Sequence, residues 1–212
     1  MKKSFLGLFM ILISAGFSFS QSQIKVACIG NSITQGPGRD NPESYPLQMQ
    51  TILGDKYDVR NFGVSGRTLL KNGDFPYWNE PQYQEVLAYT PDIVVIKLGT
   101  NDSKPQNWKY AKEFKQDYLD LISSVKASMP EDGKIYICLP VPVFQTNYGI
   151  TENIIREEML PILLDISKET GIEIIDLHSP FEGKSDLLAD GVHPNTEGLG
   201  IMAKVVAEKI KK

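Results

Sequence analysis

Polar residues that could carry out chemistry are concentrated in four short segments of the 212-residue chain. These are residues 30–34 (Gly-Asn-Ser-Ile-Thr), 63–68 (Gly-Val-Ser-Gly-Arg-Thr), 99–102 (Gly-Thr-Asn-Asp) and 190–195 (Asp-Gly-Val-His-Pro-Asn). A serine hydroxyl becomes a useful nucleophile only when a base takes its proton, and the chain has two histidines, His178 and His193. Asp190 stands three residues before His193, close enough to fix the imidazole tautomer and stabilise its protonated form. His193 is therefore the favoured base.

Two other chemistries fit these segments less well. Gly30, Gly36 and Gly38 follow an apolar run and could cradle a phosphate. Their spacing, however, fits neither the Gly-x-Gly-x-x-Gly fingerprint nor a Walker A loop with its lysine. A zinc site would have to draw on two histidines that form no His-x-x-x-His pair, without paired cysteines. We therefore expect no cofactor and no metal.

Composition narrows the class of protein further. The chain is 42% hydrophobic with 17 Gly, 13 Pro and 2 Cys, which excludes collagen-like, disordered and disulfide-scaffold proteins. Its net charge of -4, without a long basic run, argues against nucleic acid as a partner. The length fits one globular domain with a full core.

The elements that must position the polar segments are five short apolar runs separated by stretches with helical spacing. The runs cover residues 24–29, 59–62, 93–98, 135–139 and 172–177. Most are continuous rather than alternating, as in a parallel sheet covered on both faces. Ligands bind beyond the carboxyl ends of the strands in such sheets, and three of the polar segments fall there. The pattern predicts a single α/β domain over residues 21–212, with its site at the loops after the strands.

Helical spacing is clearest over residues 108–129, where apolar side chains recur on one face. Further helices are predicted over residues 44–53, 151–170 and from 195 to the C terminus. Gly54 and Gly171 suit the ends of two of them, and Asn195 suits the start of the last. Pro161 predicts a kink or a break inside the third.

The four segments, in this order, resemble the blocks of the SGNH hydrolases, also called GDSL esterases, whose name lists their serine, glycine, asparagine and histidine. The resemblance spans essentially the whole chain after the first twenty residues. It implies a three-layer α/β/α, flavodoxin-like fold with a five-stranded parallel sheet, and ester hydrolysis. One departure is visible, since the usual Gly-Asp-Ser-Leu reads Gly-Asn-Ser-Ile here. In the family that aspartate supports the loop, so Asn31 bears on loop rigidity more than on catalysis.

The resemblance also implies the roles of individual residues. It makes Ser32 the nucleophile, with Asp190 and His193 as its acid and base. Ser32, Gly66 and Asn101 would form the oxyanion hole, the first two through backbone N–H groups and the third through its amide. Ser65, in Gly-Val-Ser-Gly, lacks the Gly-x-Ser-x-Gly elbow of the α/β-hydrolases and is rejected as a nucleophile.

Aromatic residues near the second and third segments suggest a carbohydrate substrate. Tyr77, Trp78 and Trp108 could offer ring faces to a sugar, or could plug the loops from beneath. Arg67 could bind a substrate carboxylate such as that of a sialic acid, or could pair with a protein carboxylate. Residues 97–108 and 140–143 resemble the sialate O-acetylesterase and carbohydrate acetylesterase branch of the family. An exported esterase that removes O-acetyl groups from sialic acid or from plant or host glycans is therefore the first hypothesis.

Two alternatives remain open at this stage. One is a broad short-chain esterase or lysophospholipase of the same family, although no long apolar insertion resembles a lipid lid. The other is a non-catalytic carbohydrate-binding relative, against which the intact Ser32, Asp190 and His193 argue. Loss of activity in Ser32→Ala and preference for acyl chain length would separate the three.

The first twenty residues have the anatomy of a secretory signal peptide. Lys2 and Lys3 precede an apolar run of about 13 residues, well short of the roughly 20 that a spanning helix needs. We therefore expect an exported protein, periplasmic or secreted, with no stable membrane insertion after the signal is removed. Cys28 and Cys138 lie in apolar runs and are expected to be buried thiols rather than a disulfide.

Overall fold

A computed structural model describes residues 22–211, so the predicted signal peptide lies outside the described residues. Five strands form one parallel sheet in the order β2-β1-β3-β4-β5. They are β1 (Ile24–Gly30), β2 (Tyr57–Gly63), β3 (Ile93–Lys97), β4 (Lys134–Leu139) and β5 (Glu173–Asp176). Each coincides with a predicted apolar run to within about two residues, because runs buried on both faces leave little doubt about their extent. The predicted fold class is confirmed.

Seven α-helices connect and flank the strands between residues 22 and 211. They are α1 (Ser32–Gln35), α2 (Tyr45–Leu53), α3 (Pro81–Tyr89), α4 (Pro105–Trp108), α5 (Ala111–Lys126), α6 (Leu160–Thr170) and α7 (Thr196–Ile210). Short 3₁₀ turns lie at Tyr77–Asn79, Thr100–Ser103, Ser179–Phe181 and Ser185–Leu187. Helices α2 and α7 cover one face of the sheet, and α3, α5 and α6 cover the other, which makes three layers.

Pro161 has the effect that the sequence predicts, in a particular form. The backbone turns as a π-helix over Ile154–Met159, and α6 begins at Leu160 with the proline in its first turn. A proline has no N–H to donate and its ring crowds the carbonyl four residues earlier, so the hydrogen-bond ladder changes register just before it. Gly171, with φ of 73°, ends α6 as predicted.

The two cysteines are free and buried, as expected. Burial raises the pKa of the Cys28 thiol to about 12 and that of Cys138 further, so neither is a reactive thiolate. None of the helices between residues 22 and 211 combines the length and the apolar character that crossing a bilayer requires.

Candidate active site

Ser32, His193 and Asp190 form a continuous relay at the carboxyl end of the sheet. The hydroxyl Oγ of Ser32 lies 2.8 Å from Nε2 of His193, and Nδ1 of His193 lies 2.6 Å from Oδ2 of Asp190. Ser32 is the first residue of α1, directly after β1, and His193 lies two residues before the Asn195 cap of α7. The structure therefore joins residues 161 positions apart in a nucleophile–base–acid geometry.

The Asp190 carboxylate is held in place by three hydrogen bonds. Its Oδ1 accepts from the backbone N–H groups of Val192 at 2.9 Å and His193 at 2.7 Å, while Oδ2 faces the imidazole. Burial acts to raise the pKa of Asp190, but these bonds outweigh it, so the pKa lies below its usual range. The carboxylate is thus ionised and oriented to hold a proton on Nδ1, which leaves Nε2 free to accept the Ser32 proton.

Three N–H donors predicted for the oxyanion hole surround the same point. The backbone N–H groups of Ser32 and Gly66 have no acceptor among residues 22–211, so both are free for a ligand. Gly66 has φ of 80°, a left-handed conformation that side chains disfavour, which accounts for glycine here. The amide of Asn101 donates one N–H to the Arg67 carbonyl at 3.1 Å and keeps a second. Ser32, Gly66 and Asn101 line one cavity together with His193.

Asp102 and Asn107 help to hold the loop after β2, which carries Gly66, against the loop after β3, which carries Asn101. The sequence did not indicate this role. The buried Asp102 carboxylate accepts from the backbone N–H groups of Leu69 at 3.0 Å and Leu70 at 2.7 Å. Burial raises the pKa of Asp102 to about 7, although these two N–H bonds act in the opposite direction. Asn107 donates to the Asn101 carbonyl at 2.9 Å. The loops after β2 and β3 are therefore fixed to each other, and Asn101 is fixed between them.

Asn31 takes over the loop-supporting position of the usual aspartate. Its side chain is fully buried, and its Oδ1 accepts from the N–H of Ile33 at 3.1 Å, which caps α1 at the nucleophile. An amide oxygen is a suitable cap acceptor, so the substitution leaves Ser32 at the start of a capped helix turn.

Two cavities open beside the Ser32 hydroxyl. One of about 280 Å³ lies on the oxyanion side and includes Lys104 and Tyr148 in its wall, and the other, of about 360 Å³, is lined by Gly36, Pro37 and Leu199. A larger apolar cavity of about 700 Å³ beside Phe144 contains none of the three relay residues. Space for a small ligand is therefore available on both sides of Ser32, and we assign the candidate site to these two smaller cavities.

Arg67, for which the sequence left open a substrate carboxylate or a protein carboxylate, has a partner within the protein. Its guanidinium is already paired, with Nε 2.7 Å from Oε1 of Glu80 and a second nitrogen donating to the Ser65 carbonyl at 2.8 Å. The alternative weighed from the sequence, a protein carboxylate as partner, is the one observed. Arg67 thereby shapes the loop that carries Gly66.

The three aromatic residues expected to bind a sugar are also held by the protein. Tyr77 is 1% exposed and donates its hydroxyl to the Phe62 carbonyl, so it has no face for a ligand. Trp78 is half-buried, with its indole N–H bonded to the Leu69 carbonyl at 2.7 Å. Trp108 is 9% exposed, donates to Glu158, and lines the apolar 700 Å³ cavity instead. All three pack against the hydrophobic core on the side of the sheet covered by α3, α5 and α6, below the loops.

His178 contacts Pro140 and Glu152 rather than Ser32, which agrees with the choice of His193 over His178 as the base. It is 4% exposed, its Nδ1 lies 2.9 Å from the Pro140 carbonyl, and its Nε2 lies 3.2 Å from Glu152. Burial acts to lower the pKa of His178, but the carboxylate and the carbonyl outweigh it and raise the pKa. Glu152 also accepts from the Val143 N–H, so the pair of His178 and the half-buried Glu152 braces the loop after β4.

Comparison with known proteins agrees with the fold and the four segments. Residues 28–200 match the GDSL-like Lipase/Acylhydrolase family. The chain therefore belongs to this family of carboxylic ester hydrolases.

Individual relatives narrow the resemblance. An acetylxylan esterase from Xylanibacter ruminicola is 45% identical over 210 residues, which cover 90% of this chain and 44% of the relative. The chain thus spans less than half the length of that protein. Among solved structures, the carbohydrate acetylesterase Est24 from Sinorhizobium meliloti shares the fold with a TM-score of 0.70 at 18% identity, covering 89% of this chain and 99% of that one. The acetyl xylan esterase AlAXEase also gives 0.70, at 21% identity over 88% of this chain and 100% of that one.

Proposed function

We propose that this protein is a carbohydrate O-acetylesterase whose substrate is O-acetylated xylan. The observation that carries the proposal is the Ser32–His193–Asp190 relay. Its distances are 2.8 Å from Ser32 Oγ to His193 Nε2 and 2.6 Å from His193 Nδ1 to Asp190 Oδ2, and the free N–H groups of Ser32 and Gly66 lie beside it. The 45% identity to an acetylxylan esterase supports the choice of sugar. Sialic acid loses its support because Arg67, which was to bind its carboxylate, is paired with Glu80.

In this proposal the reaction proceeds through an acetyl-enzyme. His193 Nε2 takes the proton of Ser32 as Oγ attacks the acetyl carbonyl, and the carbonyl oxygen becomes an oxyanion bonded by the N–H donors of Ser32, Gly66 and Asn101. The C–O bond to the sugar breaks, and the imidazolium gives its proton to the departing sugar hydroxyl. A water molecule, deprotonated by His193, then attacks the acetyl group, and acetate leaves as Ser32 regains its proton.

The sizes of the cavities support a short acyl group. At about 280 and 360 Å³, the two spaces beside Ser32 are at or near the lower end of the roughly 300–1,000 Å³ typical of ligand sites. The exposed Ser65 and the half-buried Lys104 in the wall of the smaller one suit a hydroxylated substrate better than a hydrocarbon chain. These features favour an acetylated sugar over a long-chain lipid ester.

Export belongs to the same proposal. Lys2, Lys3 and the apolar run after them support a signal peptide over residues 1–20, with residues 21–212 as the hydrolase domain. Polymeric xylan is met outside the cell membrane, so an exported enzyme would meet its substrate there.

Acetate release tests the proposal. Residues 21–212, wild type and Ser32→Ala, are assayed on acetylated xylan, O-acetylated sialic acid and a medium-chain nitrophenyl ester. The proposal predicts release from acetylated xylan that exceeds release from the sialate by at least tenfold and that Ser32→Ala abolishes. A wild-type preference for the medium-chain ester would contradict it, and so would acetate release that survives in Ser32→Ala.

A further inference from the structure

We propose that Tyr148 is the platform on which the sugar ring of the substrate stacks, and thereby a determinant of specificity. This inference rests on the proposed function and extends it to a residue in the loop after β4. Tyr148 is not among the aromatic residues that the sequence suggested, of which Tyr77 and Trp108 are buried and Trp78 is half-buried.

Exposure next to the base distinguishes Tyr148. Tyr148 is 59% exposed, the highest value among the four exposed large hydrophobic residues between residues 22 and 211. Its ring meets the His193 imidazole edge-on, with centroids 5.8 Å apart and planes at 69°. It also lines the cavity that contains Ser32 and the oxyanion donors. An aromatic ring in the wall of the cavity that contains Ser32 can contact a ligand bound there.

The backbone holds Tyr148 in an unfavourable conformation at this place. Its φ of 53° is in the left-handed region, where a residue other than glycine is uncommon and strained. Such a conformation persists only when neighbours enforce it. Here Asn147 accepts the Tyr148 N–H through its side chain at 2.9 Å, and the Ile150 N–H bonds back to the Asn147 carbonyl at 2.8 Å.

The same loop is attached to the acid of the relay. The amide of Asn147 donates to the Asp190 carbonyl at 3.1 Å, and on the other side Gly149 lies against Pro105 and Lys104. The backbone that carries the ring is therefore held next to Asp190 before any substrate arrives. A pre-positioned aromatic ring binds at low entropic cost because it has two side-chain torsions to order.

The chemistry of the ring fits a pyranose. An aromatic face is apolar with a negative potential, and it attracts the weakly positive C–H groups on the face of a sugar, while the phenol edge stays in water. Ser65, Lys104 and the Asn101 amide around the same cavity can bond the hydroxyls at the sugar edge. Acetylated xylose rings present such a face, whereas ethyl acetate has no ring to stack.

The variants Tyr148→Phe and Tyr148→Leu test the role of the ring. Both keep a side chain at the left-handed position, so backbone strain is matched, and they differ in whether an aromatic face remains. On acetylated xylo-oligosaccharides, we expect Tyr148→Leu to raise KM about tenfold and Tyr148→Phe to change it less than twofold. On ethyl acetate, which has no ring, the change caused by Tyr148→Leu should be at least threefold smaller. Equal KM values for the two variants, or equal changes on both substrates, would overturn the platform.

A binding measurement separates this inference from the proposed function. Ser32→Ala, which keeps the site without turnover, is titrated calorimetrically with acetylated xylo-oligosaccharide, alone and combined with Tyr148→Leu or with Leu164→Ala. Leu164 is 50% exposed on α6 and serves as the control for removal of surface apolar area. We expect binding that weakens about tenfold with Tyr148→Leu and less than twofold with Leu164→Ala. Absent binding, or binding indifferent to Tyr148, overturns the platform, whereas Tyr148-dependent binding without wild-type acetate release overturns only the proposed reaction.

Discussion

Replacing Asp190 by asparagine should damage catalysis more than replacing it by alanine, for a reason visible in the loop. Two backbone N–H groups, of Val192 and His193, point at Oδ1, so an asparagine at this position must turn its oxygen toward them. Its NH₂ group then faces Nδ1 of His193 across 2.6 Å. The imidazole must accept there and carry its proton on Nε2, where it cannot take the Ser32 proton.

The size of the effect follows from two contributions. Charges about 4 Å apart attract by about 1 kcal/mol in water and about 4 kcal/mol at an effective dielectric constant of 20. Because the Asp190 and His193 side chains are 31% and 35% exposed, we take about 1–2 kcal/mol for the lost charge. The wrong tautomer adds about 1–3 kcal/mol, the cost of an unmatched polar group. Together these contributions, about 2–5 kcal/mol, lower kcat about 30- to 5,000-fold in Asp190→Asn, and about 5- to 30-fold in Asp190→Ala, which lacks the second contribution.

The assay is kcat on p-nitrophenyl acetate at pH 8, with the melting temperature measured on the same samples. Asp190→Ala leaves the Val192 and His193 N–H groups without an acceptor, so its Tm should fall further than that of Asp190→Asn. The two variants should therefore rank in opposite orders for stability and for turnover. An Asp190→Asn protein that keeps more than a third of wild-type kcat would refute the assigned tautomer.

Three further variants probe separate parts of the account. Asn101→Ala should lower kcat by about 10²- to 10³-fold if its free N–H serves the oxyanion, and a loss under about threefold on a nitrophenyl ester would exclude that role. His178→Ala should keep kcat within about threefold in a folded protein while lowering Tm, because His178 braces Glu152 and the Pro140 carbonyl; a collapse of turnover at unchanged Tm would show the base assignment to be wrong. Lys97 is fully buried beneath the loop after β3, with its Nζ 3.0 Å from Thr100 Oγ1, and burial lowers its pKa to about 7. Between pH 7 and pH 9 the unfolded chain binds more protons at this lysine, so the stability of wild type relative to Lys97→Met should rise by about 2 kcal/mol. Urea unfolding that gives a difference independent of pH would contradict the buried neutral amine.

The sheet could be predicted from the sequence because its strands are continuous apolar runs. A run such as Lys134–Leu139 has no polar residue after its first, so burial on both faces is the simplest explanation. Helix α3 was not predicted, since its three buried residues are Gln82, Val86 and Tyr89 and one of them is polar. The π-helix before Pro161 was predicted only as a break, because its form depends on how the hydrogen-bond ladder is rebuilt.

In the candidate site, contacts between residues close in sequence could be predicted, whereas contacts between distant residues could not. The contact of Asp190 with His193 is local, three residues along one turn, and the spacing alone suggests it. Whether an aromatic or charged residue near the site is free depends on distant partners, so the sequence left open whether Trp78 and Arg67 contact a substrate or the protein. Tyr148 was missed because it lies outside the four polar segments. The Asn-Tyr-Gly turn at residues 147–149, in the loop after β4, was the available signal.

The assignment of Ser32 as the nucleophile can be tested most directly with a fluorophosphonate probe, which phosphonylates an activated serine. Residues 21–212 are labelled, digested and mapped by mass spectrometry, with Ser32→Ala and His193→Ala in parallel. The account predicts one adduct, on Ser32, that is absent from Ser32→Ala and at least a hundredfold slower to form in His193→Ala. An adduct on Ser65, or labelling of Ser32 that proceeds equally fast without His193, would contradict it.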